Sequence, residues 1–468
     1  MKDFQNAMES IEKAKKVAEK CLFRPKFHFL APANWMNDPN GPIFYKGEYH
    51  LFYQHNPYED NWGIVHWGHA KSKDLVHWEH LPIALVPSNE LGEEHCYSGC
   101  CVNNNGIPTI IYTSIGPKRL NSTSAEQWLA TSLDDMITWH KSPHNPIMTL
   151  GLHRELDVRE WRDPYVWKEG EYWYMTLGGH IHNTQTGIAL IYRSRDLLQW
   201  EYLNPLCQGE IKDTMTGVNW ECPNFFSLGD KHVLIISPHK KVIYAIGSYI
   251  NHKFLPDNWR YLDHGRVFYA PNTMFDKKGR VIMWAWIMNG GSGGWNGCIT
   301  LPRILSLDHD KRLKFTPVPE LQILRESHIH LDNINLSPQS SNMLGNFSGK
   351  CLEIIAEFEV DQLTSFGFKI FKSKTYKGFE TIGYDMVKKQ LWAGKEKGII
   401  KLPLDNKKIK FHIFLDKSVV EVYLNYIECL TSRIYPKSEE SEGIDLFTTK
   451  HIIKLKTLDI WKIKSIWE

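Results

Sequence analysis

The chain has 468 residues, a hydrophobic fraction of 42% and a formal net charge of +2, enough for two or three domains with substantial cores. A charge so near neutrality argues against a nucleic-acid partner and against a polybasic membrane patch. No run of 18 apolar residues occurs, so no membrane span is expected.

The first residues lack an apolar signal region, and Asp3, Glu9, Glu12 and Glu19 argue against a transit peptide. Nine cysteines are scattered without metal-ligand spacing, and Cys100 and Cys101 are adjacent. This pattern fits reduced thiols in a cytoplasmic protein with no bound metal, and the sequon Asn121-Ser122-Thr123 then reads as a chance match. Met8, Ile11, Ala14, Ala18 and Leu22 fall near a 3.6-residue period, which predicts a short amphipathic helix over 5–22 within an N-terminal segment 1–26.

From Phe27 the texture changes to short strands and turns with an internal repeat. One marker runs Ser72–Trp78, then Ser132–Trp139, then Ser194–Trp200, with a weaker echo ending at Trp259. Its tryptophans are spaced 61, 61 and 59 residues apart. A second series interleaves with it. Asp38-Pro39, Ser98-Gly99, Asp163-Pro164, Glu221-Cys222-Pro223 and Ala270-Pro271 each lead through a turn into an apolar strand. Five units of about one four-stranded sheet each predict a five-bladed β-propeller over 27–325. First strands lining one axis would bring Asp38, Asp163 and Glu221 into one funnel.

Pro317–Leu321 predicts a short helical connection. Beyond it Leu352, Ile354, Ala356, Phe358 and Val360 alternate with polar residues, as do Phe411, Ile413 and Leu415. That period of two predicts a C-terminal β-sandwich over 326–468, making the fold all-β apart from the first helix.

Two acids in different protonation states, facing each other across a sugar, are what glycosidic bond cleavage requires. Asp38, beside Asn37 and a tight turn, suits the ionised nucleophile. Glu221, between Trp220 and Cys222, is expected to have its carboxyl pKa raised by apolar surroundings and so suits the general acid. Asp163 is expected to be held ionised by Arg162 and to bind sugar hydroxyls. Alone, an Asp-Pro step is a turn former, and three acids could also collect a calcium ion, although closely spaced Asp/Asn ligands are missing.

Further motifs carry a resemblance: Trp35–Gly41, Phe52–Gln54, Trp67–Ala70, Tyr97–Gly99, Arg162–Pro164, Glu221–Pro223, Gly294–Gly297 with Leu301–Arg303, and Thr431–Pro436. With these the chain resembles the invertase-type glycoside hydrolases of family 32, which pair a five-bladed propeller with a β-sandwich, over Phe27 to Pro436. The resemblance implies that Asp38 is the nucleophile, Glu221 the general acid/base and Asp163 the transition-state stabiliser. It implies that Asn37, Gln54, Trp62, Ser98 and Arg162 bind the fructosyl unit and that Tyr97 lines the pocket. It suggests Trp286 as a further wall, with Trp284 and Trp295 competing for that place. Two departures stand out: Cys100 where the family has serine after Ser-Gly, and Asn425-Tyr426 at a turn of the sandwich.

The implied reaction is retaining hydrolysis of terminal β-D-fructofuranosides such as sucrose, without a cofactor, with the two carboxyls about 5–5.5 Å apart. Sucrose 6-phosphate as substrate, fructosyl transfer, and a non-catalytic fructan-binding propeller are the alternatives. A homodimer through the sandwich is compatible with the sequence.

Overall fold

The Ser-x-Asp repeat turns out to be the corner between the third and fourth strands of a blade. Asp74 and Asp196 each accept backbone N–H bonds from the residues two and three positions on, at 2.9 and 2.8 Å. Leu75, Met136 and Leu197 adopt left-handed backbone there, with φ of 70°, 70° and 66°. All three are buried, so packing offsets a conformation that an L-residue otherwise avoids.

The structure is a computed structural model that describes residues 2–116, 125–153, 156–210, 214–291, 293–345, 347–373, 378–400, 402 and 407–467. The sequon at Asn121 lies outside the described residues. The chain forms two compact units, one of 1–19, 30–262 and 269–313 and the other of 20–29, 263–268 and 314–468.

Five antiparallel sheets make the propeller. Their innermost strands are Asn34–Tyr45, His95–Asn104, Val158–Glu169, Glu221–Leu228 and Phe268–Phe275. Trp295 and Asn296 pair in parallel with Asn34 and Trp35, shutting the ring. Gly297 makes that closure possible: its φ is +79°, and a β-carbon would sit 2.0 Å from the Met36 carbonyl oxygen. The first helix spans Lys2–Ala18, starting and ending earlier than its periodicity suggested. Ala7 and Ile11 pack on Ile83 of the first blade.

The second unit stacks two sheets. One has six strands, including Arg325–Leu336, Cys351–Glu359 and Ile453–Ile463, and the other has five. Their alternating residues (Ile354, Phe358, Phe366, Phe411, Leu446 and Ile460) form the core between them. Asp416 fastens residues 26–28 to this unit, accepting three backbone N–H bonds at 2.7–2.8 Å and one from His28 Nδ1 at 2.9 Å.

Candidate active site

The innermost strands of the first four blades each slip by one residue against their neighbours. The slips lie between Met36 and Pro39, Cys96 and Gly99, Arg162 and Tyr165, and Glu221 and Asn224. A bulge of this kind sets two consecutive residues where a regular strand sets one, and it re-aims their side chains. In phase with the five X-Pro or X-Gly steps the strands carry Asn37-Asp38, Tyr97-Ser98, Arg162-Asp163, Glu221-Cys222 and Tyr269-Ala270. Asp163, Cys222 and Ala270 sit at φ of 64°, 47° and 47°. Left-handed backbone at such residues costs of order 1–3 kcal/mol each and persists where surrounding structure enforces it.

The floor below these doublets is tied strand to strand. Asn272 Nδ2 donates to the carbonyls of Pro39 and Gly99 at 3.3 and 3.2 Å, and Asn224 Nδ2 to that of Pro271 at 2.9 Å. Above it, Ser98 Oγ donates to Asp38 Oδ2 at 2.5 Å and accepts from Gln54 Nε2 at 2.5 Å. Asn37 Nδ2 lies 3.1 Å from Asp38 Oδ1 and 2.6 Å from Gln54 Oε1, while its own oxygen accepts from the Trp35 indole at 2.9 Å. Cys222 joins two of the acids: its Sγ is 3.6 Å from carboxylate oxygens of both Asp38 and Asp163, and its N–H donates to Asp163 at 2.9 Å. Burial, with the negative charge of Asp163 next, pushes the Cys222 thiol far up, so it remains a donor.

The third acid is held from outside. Glu221 pairs with Arg162, accepts from the Tyr269 hydroxyl at 2.5 Å and lies 2.9 Å from His239 Nε2. The backbone N–H of His239 in turn donates to the Tyr269 oxygen at 3.0 Å. Arg162 also pairs with Glu160, and its Nε is 3.9 Å from Asp163.

This arrangement reverses the expected protonation order. Burial pushes Asp38 up to about 6 against the Ser98 hydrogen bond, with Glu221 adding to the rise. Burial likewise lifts Asp163 to about 7 against the charge of Arg162, with the charges of Glu221 and Asp38 adding to the rise. Glu221 is buried too, yet Arg162 and His239 outweigh that and bring it down to about 2. The apolar neighbours of Glu221 in sequence do not govern its titration; a guanidinium 59 residues away does. Arg162 does favour ionised Asp163, but burial outweighs it.

The expected aromatic residues are spread around this cluster. Tyr97 lies close enough for the charges of Arg162, Asp163 and Glu221 to act on its hydroxyl. Trp62 is 51% exposed and stacks on His95 at 5.3 Å, and the Tyr97 ring lies 5.8 Å from the same histidine. Of the three competing tryptophans, Trp284 and Trp295 are fully buried. Trp286 packs edge-on against Trp35 at 5.5 Å, which ties it to Asn37. Tyr269 and His239 escaped the motif reading. Tyr269 was discoverable, since it occupies the same phase of the repeat as Glu221, whereas His239 comes from the connection after Lys231–Ser237 and has no repeat signature.

Comparison with known proteins now decides the family. The glycosyl hydrolases family 32 N-terminal domain matches residues 28–317 and the family's C-terminal domain matches 320–462. The chain belongs to glycosyl hydrolase family 32. A sucrose-6-phosphate hydrolase of Zymomonas mobilis is 34% identical to this family 32 chain over 94% of it and 93% of the relative. A β-fructofuranosidase (insoluble isoenzyme) of Arabidopsis thaliana is 31% identical over 95% and 91%. The crystal structure of fructan 1-exohydrolase IIa from Cichorium intybus superimposes with a TM-score of 0.85 at 27% identity, covering 95% of this chain and 98% of that one.

Proposed function

We propose that the protein hydrolyses terminal β-D-fructofuranosides, sucrose or short fructo-oligosaccharides, with retention of configuration. The observation that carries this reading is the convergence of Asp38, Asp163 and Glu221, from three separate blades, around Arg162 and Cys222. In the first step a carboxylate oxygen of Asp38 bonds to the anomeric carbon of the fructosyl unit. The bond from that carbon to the leaving oxygen breaks, and the Glu221 carboxyl proton goes to that oxygen. In the second step Glu221 takes a proton from water, the water oxygen displaces Asp38, and fructose leaves. Asp163, with Arg162, serves the fructosyl hydroxyls, whose hydrogen bonds tighten in the transition state.

Of the nucleophile and acid, Asp38 at about 6 takes a proton before Glu221 at about 2, so below about pH 6 binding has to exchange proton and charge between them. Sugar hydroxyls that draw Arg162 away remove the strongest support for ionised Glu221. Burial then acts on that carboxyl against only the His239 and Tyr269 contacts, which shifts it toward its acid form. Asn37, Gln54 and Ser98 hold Asp38 in place for attack, and Tyr97, Trp62 and Trp286 supply apolar faces for the sugar.

Initial rates on sucrose, sucrose 6-phosphate, inulin and levan, for wild type and Glu221→Gln, test the proposal. Fructose release by wild type alone is the expected result, and no release from any of the four by wild type overturns it. Sucrose 6-phosphate is a second reading, favoured by His239, which is 50% exposed beside Glu221 and is followed in the chain by Lys240. A hundredfold preference in kcat/KM for the unphosphorylated sugar removes it. A cytoplasmic setting goes with the reading, in keeping with nine cysteines and no disulfide among the described residues. No helix among the described residues is long and apolar enough to cross a membrane.

A further inference from the structure

We propose that His328, His330 and Asp459, on the exposed face of the sandwich, form a binding site for a divalent first-row transition-metal cation, with Zn²⁺ the reference ion. The strands Arg325–Leu336 and Ile453–Ile463 run antiparallel, and their register sets His330 opposite Asp459 and His328 opposite Trp461. Strand alternation puts 328, 330 and 332 on one face, so the backbone alone brings two imidazoles and a carboxylate together. Asp459 Oδ1 lies 2.8 Å from His328 Nε2 and 2.8 Å from His330 Nδ1. One donor atom from each of the three falls within 4.8 Å of the others.

The surroundings hold these donors in place. The His328 ring stacks on Trp461 at 4.7 Å with the planes 5° apart, and the Arg325 guanidinium lies 3.8 Å from the centre of the same indole. Arg325 is fixed by two hydrogen bonds to Glu353, at 2.8 and 2.7 Å. The second nitrogen of His330, Nε2, is 3.9 Å from Asp332 Oδ2. That carboxylate adds a second negative charge beside the imidazoles, which favours a cation there. An ion bonded at about 2.0–2.2 Å needs neighbouring donors about 3 Å apart, which small turns of the two rings provide. Two imidazoles and one carboxylate suit Zn²⁺, Ni²⁺ or Cu²⁺ better than Mg²⁺ or Ca²⁺.

A second grouping, Asp308-His309-Asp310, makes a useful contrast. Both of its carboxylates already pair with Arg312, at 2.8 and 3.2 Å, so a cation there would have to compete with the guanidinium for its ligands.

Isothermal titration of the metal-free, tag-free protein with Zn²⁺ alone tests the proposal, because 22 histidines offer weak sites elsewhere and only a difference between variants is informative. Wild type and His309→Ala are expected to take up one ion per chain with equal affinity. The double variant His328→Ala/His330→Ala is expected to lose that event or to weaken it tenfold or more. Should the double variant fail to fold, Asp459→Asn carries the same expectation. Co²⁺ on wild type is expected to give visible d–d bands that the variants lack. Absence of a stoichiometric event in wild type, or its persistence unchanged in the variants, overturns the site.

Discussion

Replacing Ser98 with alanine tests where the free site keeps its proton. Ser98 gives Asp38 a 2.5 Å hydrogen bond, and a bond of this kind to a charged group contributes about 1.5–3 kcal/mol. Its loss disfavours ionised Asp38 and raises that carboxyl from about 6 by about 1–2 pH units, at 1.36 kcal/mol per unit. The reactive form has one proton shared by the pair, on Glu221 rather than on Asp38. With Glu221 near 2 and Asp38 near 6, the one-proton state spans the interval between them, and the reactive arrangement is its minor tautomer. Raising Asp38 makes that tautomer rarer by about ten- to a hundredfold, in step with the same 1.5–3 kcal/mol. It also moves the upper limit of the one-proton state toward alkali. Initial rates of sucrose cleavage from pH 3 to 9 are therefore expected to show Ser98→Ala reduced about ten- to a hundredfold in kcat/KM, with its alkaline limb moved upward. An unchanged plateau with only the acid limb moved would mean that Asp38 is the group already ionised in the free site, with the proton on Glu221 instead.

Glu221→Gln removes both the acid and the base, so turnover of sucrose is expected to fall by about 10²–10⁴. An aryl β-fructofuranoside, whose leaving group needs no proton, recovers most of the first step; equal losses on both substrates would argue against the acid role. Asp163→Asn is expected to lower kcat more than it raises KM, since its hydrogen bonds strengthen in the transition state, and Michaelis constants on sucrose check this. In the second unit, Asp416→Ala strips residues 26–28 of their shared acceptor and leaves His28 without its partner at 2.9 Å. Urea unfolding of this variant is expected to show a loss of about 3–5 kcal/mol, as for other broken buried pairs.

Much of this architecture is legible in the chain because the blade repeats its own chemistry. Each Ser-x-Asp corner needs a side-chain oxygen for the backbone N–H groups of the turn, and each X-Pro or X-Gly step marks a bulge on an inner strand. Those two signals, read together, put the acids in one channel. The same phase could have named Tyr269, which precedes Ala270 as Arg162 precedes Asp163 and Glu221 precedes Cys222. The partners of the acids were not legible. Arg162 adjoins Asp163 in sequence, but a side chain of that length reaches the next blade, and there it pairs with Glu221. His239 reaches Glu221 from a connection that no periodicity describes. Protonation order follows from those contacts, so the sequence neighbours Trp220 and Cys222 pointed the wrong way. The first helix shows a smaller limit: its apolar spacing runs on to Leu22, while residues 20–29 fold with the second unit.

The central chemical step is the bond between Asp38 and the fructosyl carbon, and mass spectrometry of acid-quenched Glu221→Gln supplied with an aryl β-fructofuranoside addresses it directly. The peptide containing Asp38 is expected to carry the added mass of one fructosyl unit, removable by mild base. An adduct on Asp163, or an unmodified Asp38 peptide while turnover of the aryl substrate continues, would contradict it.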